Sequence, residues 1–445
     1  MNSDTDRPTR VRYLVVAVTA LAALWMYIDR VCFSTLAPEI RHELGIAEDH
    51  MSFVLGAFFF TYALFQIPIG TLADRFGPRV VLGVAIVAWS ACTAATSLAA
   101  GAAGLLAVRL CLGVCEAGAY PAAAGLVRQW ASAEERGRLS GIVAFGGRLG
   151  GAVAPVLTAL AAVRLFGDPE TGVRGWRGVF FLYGVLGLVA AVAFWWFARD
   201  TPTRHPWANA AEAARVPPAA AHPASLRAWL IQLLALALSR NMWLFGATQF
   251  FVNIGWVFLI TKLPGYLRDR FNVGTEEIGM MQTVTLVASC VGTFCGGIFA
   301  DVMYKSLGPR WGRALPIGAV LFLCTATYGI ATRMPTAWGV IAALTVMSFL
   351  VDLGIPSIWA FAQDVGGRQV GAALGWGNMW GNLGAAVSPV ALQLLRDRYG
   401  WDVAFAVCAV CFLCGAGTGL NLNALIPVTH PEPPIDHEAA DYQEP

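Results

Sequence analysis

Seven ionisable side chains lie in stretches otherwise apolar enough to cross a bilayer: Asp29 and Arg30 within residues 13–36, then Arg109, Glu116, Arg148, Lys262 and Asp352. Hydrocarbon tolerates such groups only where they pair with one another or line a cavity, so they mark a working site. Their types suggest two kinds of chemistry. An arginine cannot lose its proton and offers a planar fork of N–H groups that suits a carboxylate. A buried carboxyl can take up a proton and release it. The six histidines fall in loops or tails on the sequence pattern, which leaves that task to Asp or Glu.

The elements that must carry these residues follow from composition. The chain has 445 residues, of which 57% are hydrophobic and 13% charged, against roughly a quarter charged in soluble domains. It reads as an all-α polytopic membrane protein. A net charge of +2 gives no reason to expect nucleic acid as a partner. Lys262 and Lys305 are the two lysines, and neither follows a Gly-rich phosphate loop, so transport work would draw on a gradient rather than on ATP. The ten cysteines fall almost wholly in apolar segments and read as packed thiols. Cys408, Cys411 and Cys414 have metal-like spacing but no nearby His or acid, so no metal and no cofactor is expected.

Apolar windows of membrane-spanning length mark twelve helices in two groups of six, near residues 13–36, 51–73, 79–98, 102–127, 138–162 and 175–198, then 242–268, 277–303, 314–332, 336–364, 370–394 and 401–426. The expected organisation is a tail (1–12), a first bundle (13–198), a linker (199–241), a second bundle (242–426) and a disordered acidic tail (427–445). The Ala- and Pro-rich start of the linker reads as solvated. The first span is too long for a signal-peptide core and is expected to be retained. Arginines of the short loops, among them Arg12, Arg75, Arg79, Arg128, Arg136, Arg138, Arg310 and Arg313, fall on one side, which places both termini in the cytoplasm. Low Lys against high Arg, Ala and Gly suggests a GC-rich bacterial genome, hence an inner membrane.

The two halves repeat a loop. Gly70-Thr71-Leu72-Ala73-Asp74-Arg75-Phe76-Gly77-Pro78-Arg79 follows the second helix, and Gly297-Ile298-Phe299-Ala300-Asp301 follows the eighth. This loop resembles the signature of the major facilitator superfamily. Tyr27-Ile28-Asp29-Arg30, Gln66-Ile67-Pro68, Arg109 with Glu116-Ala117, Trp359 and Gly377-Asn378 resemble, more narrowly, the anion:cation symporter branch, in particular bacterial sugar-acid transporters of the galactonate and hexuronate type. The resemblance implies two pseudo-symmetric six-helix bundles rocking about a midplane site, with Gly70, Asp74, Arg75, Gly77, Arg79 and Asp301 in the latch between them.

Arg30 is the candidate for gripping a substrate carboxylate; the alternative is a structural pair with an acid on a neighbouring helix. Asp29 lies about 100° further round the helix and should point elsewhere, free to carry a proton. Glu116 follows Arg109 by seven residues, about 700° of rotation, so both should share a face and a polar network. By resemblance Asp29 and Glu116 are proton-coupling acids, with Arg109 helping to set the charge of Glu116, and Tyr27, Tyr62, Trp359 and Asn378 line the solute cavity. Arg148 departs from the branch, which carries an uncharged polar residue near that position. A second inward cation suits a dicarboxylate or a more highly charged anion, or it neutralises Glu116 or Asp352. Lys262 reads as snorkelling to the interface.

The expected function is a secondary importer of an organic anion, a sugar acid such as an aldonate or uronate, by proton symport with alternating access. The alternative is an antiporter or exporter of the same fold, for organophosphates or for dicarboxylate or aromatic acids. The expected partners are the small organic anion, protons and the lipid bilayer, with the chain a monomer. A membrane enzyme would need a buried His or clustered acids at catalytic spacing, which the sequence lacks.

Overall fold

The computed structural model describes residues 7–167, 175–216 and 226–428, and no strand occurs among them. The first half comprises α1 (Val11–Leu44), α2 (Glu48–Phe76), α3 (Pro78–Thr96), α4 (Ala102–Ala117), α5 (Ala119–Trp130), α6 (Arg136–Leu160) and α7 (Trp176–Phe197). Then come α8 (Ala210–Ala213), α9 (Leu226–Leu238), α10 (Arg240–Thr261), α11 (Leu263–Phe271), α12 (Thr275–Ala331), α13 (Ala337–Gly366), α14 (Val370–Tyr399) and α15 (Trp401–Leu420).

Among the described residues ten helical segments are long and apolar enough to span a membrane, one of them α4 and α5 together as Ala102–Trp130. The 57 residues of α12 would reach about 85 Å at 1.5 Å per residue, nearly three times a hydrocarbon core of about 30 Å. The helix breaks at Gly308, where φ is 73°, and Pro309 follows. A side chain is strained at that φ, so glycine makes the reversal and α12 crosses twice. The twelfth crossing is α14, whose glycines, tryptophans and asparagines dilute its apolarity over 30 residues. Large apolar side chains cover the outer faces: Phe53, Val192, Trp196, Val287 and Val390 are each more than half exposed. Meanwhile Asp29, Arg109, Glu116 and Asp352 are buried inside. Apolar outside and charged inside is the arrangement of a multi-pass membrane protein with a polar interior.

Glycines set how closely the helices approach. A Cβ at Gly146 or Gly150 of α6 would lie 2.3 or 2.2 Å from the carbonyl oxygens of Ala20 and Leu24 in α1. In the second half a Cβ at Gly292 or Gly296 of α12 would lie 2.3 or 2.4 Å from those of Phe349 and Leu353 in α13. These bare surfaces bring α6 onto α1 and α12 onto α13, and so fix the positions of Arg148 and Asp352.

Two features depart from the sequence reading. α1 continues to Leu44, so His42 sits in its last helical turn, and His50 lies in the first turn of α2 rather than in a loop. The start of the linker is not simply solvated, because it packs on the first half. Glu212 is buried and accepts a 2.8 Å bond from Arg12 Nη1, while His205 is buried with its Nε2 3.1 Å from the Phe197 carbonyl. Residues 1–6, 217–225 and 429–445, which hold most of the expected tails and part of the linker, lie outside the described residues. Removing one partner of a buried ion pair typically costs about 3–5 kcal/mol. Glu212→Ala should therefore lower the thermal unfolding midpoint of the detergent-solubilised protein by several degrees, and Glu212→Gln by less.

Candidate functional site

Between the halves lies a cavity of about 800 Å³. All six residues expected to bind solute line it: Tyr27 and Arg30 from α1, Tyr62 from α2, Arg148 from α6, Trp359 from α13 and Asn378 from α14. Sequence reasoning missed Tyr120, Gln249, Asn253, Trp256 and Asn382, which line it too. A signal was present for most of them. Tyr120 follows Glu116 by four residues, and Gln249–Asn253 and Asn378–Asn382 are polar pairs at the same spacing in apolar helices, so each pair marks one helix face.

Arg30 does not stand free. Its Nη2 and Nε both donate to Oε2 of Glu116, at 2.7 and 3.0 Å. The guanidinium carbon lies 4.5 Å from the ring centre of Tyr62 and 4.9 Å from those of Tyr27 and Phe58. Aromatic faces attract a cation and hold it in plane without quenching its charge. The Arg30 side chain keeps 13% exposure while Glu116 has none, so the cation faces the cavity and the acid sits behind it.

Asp29 points away from Arg30, as the helical offset requires, and is buried beside Thr93 of α3. Among the described residues no basic group forms an ion pair with it, and the Thr93 hydroxyl is the polar group beside it. Arg109 and Glu116 are both buried on the inner side of α4 and lie within electrostatic range of each other, but no hydrogen bond joins them. Glu116 is taken by Arg30, and Arg109 instead lies against the rings of Phe33 and Phe58, 4.4 and 4.7 Å from their centres. Phe58 thus has two arginines against it, which couples Arg109 to the pair through space.

Arg148 reaches across to the second half. Its Nη2 and Nε donate to Oδ1 of Asp352 at 2.5 and 3.1 Å, and Ser289 Oγ donates to the other oxygen. Trp256 packs under the guanidinium at 4.9 Å. Here too the arginine side chain is partly exposed, at 20%, and the acid fully buried. Of the partners weighed from sequence, Asp352 is the one that meets Arg148. Asn378 also touches the opposite half, its Nδ2 3.5 Å from Oε1 of Gln66. Trp359 meets Tyr120 edge-on at 4.9 Å.

On the arginine-rich side the halves close on each other. Asp74, near the end of α2, accepts 2.8 Å bonds from the backbone N–H groups of Gly371 and Ala372 in the first turn of α14. Asp301 of α12 accepts a 3.1 Å bond from the N–H of Arg138 in the first turn of α6. The two contacts are counterparts in the two halves, each a carboxylate on a helix N-terminus, where backbone donors and the helix dipole favour negative charge. A Cβ at Gly70 would lie 2.4 Å from the carbonyl oxygen of Gly371, so the backbones there touch. Arg79 and Gly77 stay within the first half. The Arg79 N–H donates to Asp200 at 2.9 Å, its Nη2 to the Trp195 carbonyl at 2.8 Å, and Gly77 packs on the same Asp200. Arg75 lies at the surface. The sequence reading missed a further tie, in which Asp364 of α13 takes Arg136 of α6 and, at 2.7 Å, Arg313. Arg136 and Arg313 had registered only as topology signals, because nothing in the sequence pairs them with Asp364. Gly56 and Phe59 of α2, Thr261 of α10 and Pro389 of α14 line the cavity at the other end of the molecule. The cavity therefore lies toward the side opposite the closed contacts.

The sequence profile of the Major Facilitator Superfamily matches residues 19–259 and 245–443. The chain belongs to that superfamily, one of transporters rather than enzymes. It is 32% identical over 431 residues to a probable sulfoacetate transporter of Cupriavidus necator, covering 95% of this chain and 96% of the relative. It is 27% identical over 424 residues to a probable L-galactonate transporter of Escherichia coli K12, covering 92% and 90%. The narrower likeness read from the sequence, to the sugar-acid branch, is thus found among its relatives. Among solved structures, the transporter FucP in its outward conformation superposes with a TM-score of 0.71 at 16% identity, over 92% of this chain and 99% of that one, which shows a shared fold.

The Gly70–Gly371 contact leaves no room for a side chain. Gly371→Val should push the closed ends apart. Spin labels at positions 75 and 368 in a cysteine-free background should then report a longer distance in most molecules, whereas the parent protein keeps the short one.

Proposed function

We propose that the protein imports an organic anion together with protons, by alternating access, in the inner membrane with both termini cytoplasmic. The observation that carries this reading is the Arg30–Glu116 pair on the cavity wall, cation in front and acid behind. A neutral pair offers an incoming carboxylate little, since adding an anion leaves one uncompensated negative charge in a low-dielectric wall. An uncompensated buried charge costs about 3–5 kcal/mol. A proton on Glu116 removes that charge and leaves Arg30 free to make its two charge-assisted bonds to the solute. Anion and proton then favour each other's binding, which is the thermodynamic content of symport. Tyr27, Tyr62, Trp359 and Asn378 supply hydroxyl, amide and flat apolar contacts of the kind sugar acids need.

Asp29, buried next to a hydroxyl rather than a cation, is proposed to pass the proton between Glu116 and the aqueous phase, and Arg109 to bias the charge on Glu116 from behind Phe58. The Asp74 and Asp301 contacts are proposed as the latch that holds the cytoplasmic side shut until the loaded carrier closes over its solute. The names of relatives that carry galactonate or sulfoacetate support an organic anion, with sugar acids the leading class. Exchange of organophosphates would favour a facing cation from each half. Among the described residues no basic side chain of the second half lines the cavity, and Lys262 is engaged with Gln393 at 2.6 Å. The cavity is complete within one chain, so the proposed working unit is the monomer.

Uptake into proteoliposomes from a panel of sugar acids, dicarboxylates and sulfonates, under an imposed pH gradient, tests the reading. Glu116→Gln should abolish gradient-driven accumulation while keeping exchange of internal for external solute, and Arg30→Lys should lower uptake at least tenfold. Accumulation by Glu116→Gln with unchanged pH dependence contradicts the scheme.

A further inference from the structure

The cavity contains the Arg30–Glu116 arrangement twice. Arg148 and Asp352 repeat it: two guanidinium N–H groups on one carboxylate oxygen, the cation partly exposed to the cavity and the acid wholly buried behind. Both arginines line the same cavity, with the phenol of Tyr27 within electrostatic range of each. Structural ion pairs have no need to present only the cation to open space.

We propose that Arg148 is a second anion subsite and Asp352 a further proton-coupling acid, so that the solute is an organic dianion taken up with two protons. The inference rests on the proposed proton symport and extends it to charge stoichiometry. One proton goes to Glu116 and frees Arg30; a second goes to Asp352 and frees Arg148. Two protons and two negative charges enter together, and the translocation step moves no net charge. Ser289 can keep a protonated Asp352 in place, because its hydroxyl either donates to or accepts from the carboxyl. Among the described residues the other titratable groups facing Asp352 are the thiols of Cys290 and Cys324, and those facing Arg148 are the Cys290 thiol and the phenols of Tyr27 and Tyr120; none of these is a second cation that could take over Arg148's role. Since Arg148 belongs to the first half and Asp352 to the second, the exchange also releases a tie across the cavity.

The test compares three dianions (succinate, galactarate, sulfoacetate) with three monoanions (butyrate, galactonate, acetate) in proteoliposomes holding the full chain. The imposed pH gradient and a potassium diffusion potential are varied independently. Dianion uptake by the unaltered protein should follow the pH gradient and ignore the potential. Asp352→Asn should make it sensitive to potential, retarded when the interior is negative, because one proton is lost. Arg148→Gln should lower the ratio of dianion to monoanion uptake at least tenfold. Potential-sensitive dianion uptake by the unaltered protein overturns the inference, and that measurement stands even where a variant does not fold. Transport of a monoanion but of no dianion overturns this inference alone, and transport of neither class overturns the proposed function as well.

Discussion

The cost of an unpaired charge in a low-dielectric wall governs this molecule. Two partly exposed arginines and two fully buried carboxylates stand around one cavity, and each pair is tolerable because its members neutralise each other. That same cost makes the pairs responsive. Any anion that draws an arginine away leaves an acid that must be neutralised, and protons are the available means. The energetic rule that forbids stray charges thus becomes a rule for coupling two ligands.

The rest of the fold serves to place and protect those pairs. The glycine run around Arg148 lets α6 lie against α1, and the Gly292 and Gly296 surface lets α12 lie against α13, which sets Ser289 behind Asp352. Phe58, Tyr27 and Tyr62 hold Arg30 by their faces without competing for its N–H groups. At the closed end, carboxylates rest on backbone N–H groups of helix first turns, a contact that needs no partner side chain and can break as the halves separate. The pairs at the site trade partners while the contacts at the end trade conformations.

Much of this was legible in the chain, for a physical reason. Charges inside apolar windows are costly enough to be conspicuous, so Arg30, Glu116, Arg148 and Asp352 announced themselves, and the repeated Asp-bearing loop pointed to Asp74 and Asp301. The partnerships were less legible. Helical spacing put Arg109 with Glu116, but spacing within one helix says nothing about a cation arriving from another, and Arg30 of α1 took the acid. Likewise the sequence left Arg148 between Glu116 and Asp352, and the choice fell to Asp352 only where α6 and α13 are brought together across the two halves. The polar residues Gln249, Asn253 and Tyr120 passed unnoticed because an amide or phenol in a span carries little penalty of its own. The linker's packing through Arg12 and Glu212 was hidden because the two residues are 200 positions apart.

The most direct test is to titrate the purified protein with a transported anion in weakly buffered solution near neutral pH and follow the protons it takes up. Proton uptake that saturates together with anion binding, and disappears in Glu116→Gln, is the predicted result. Anion binding of the same strength with no change in bound protons would contradict the account.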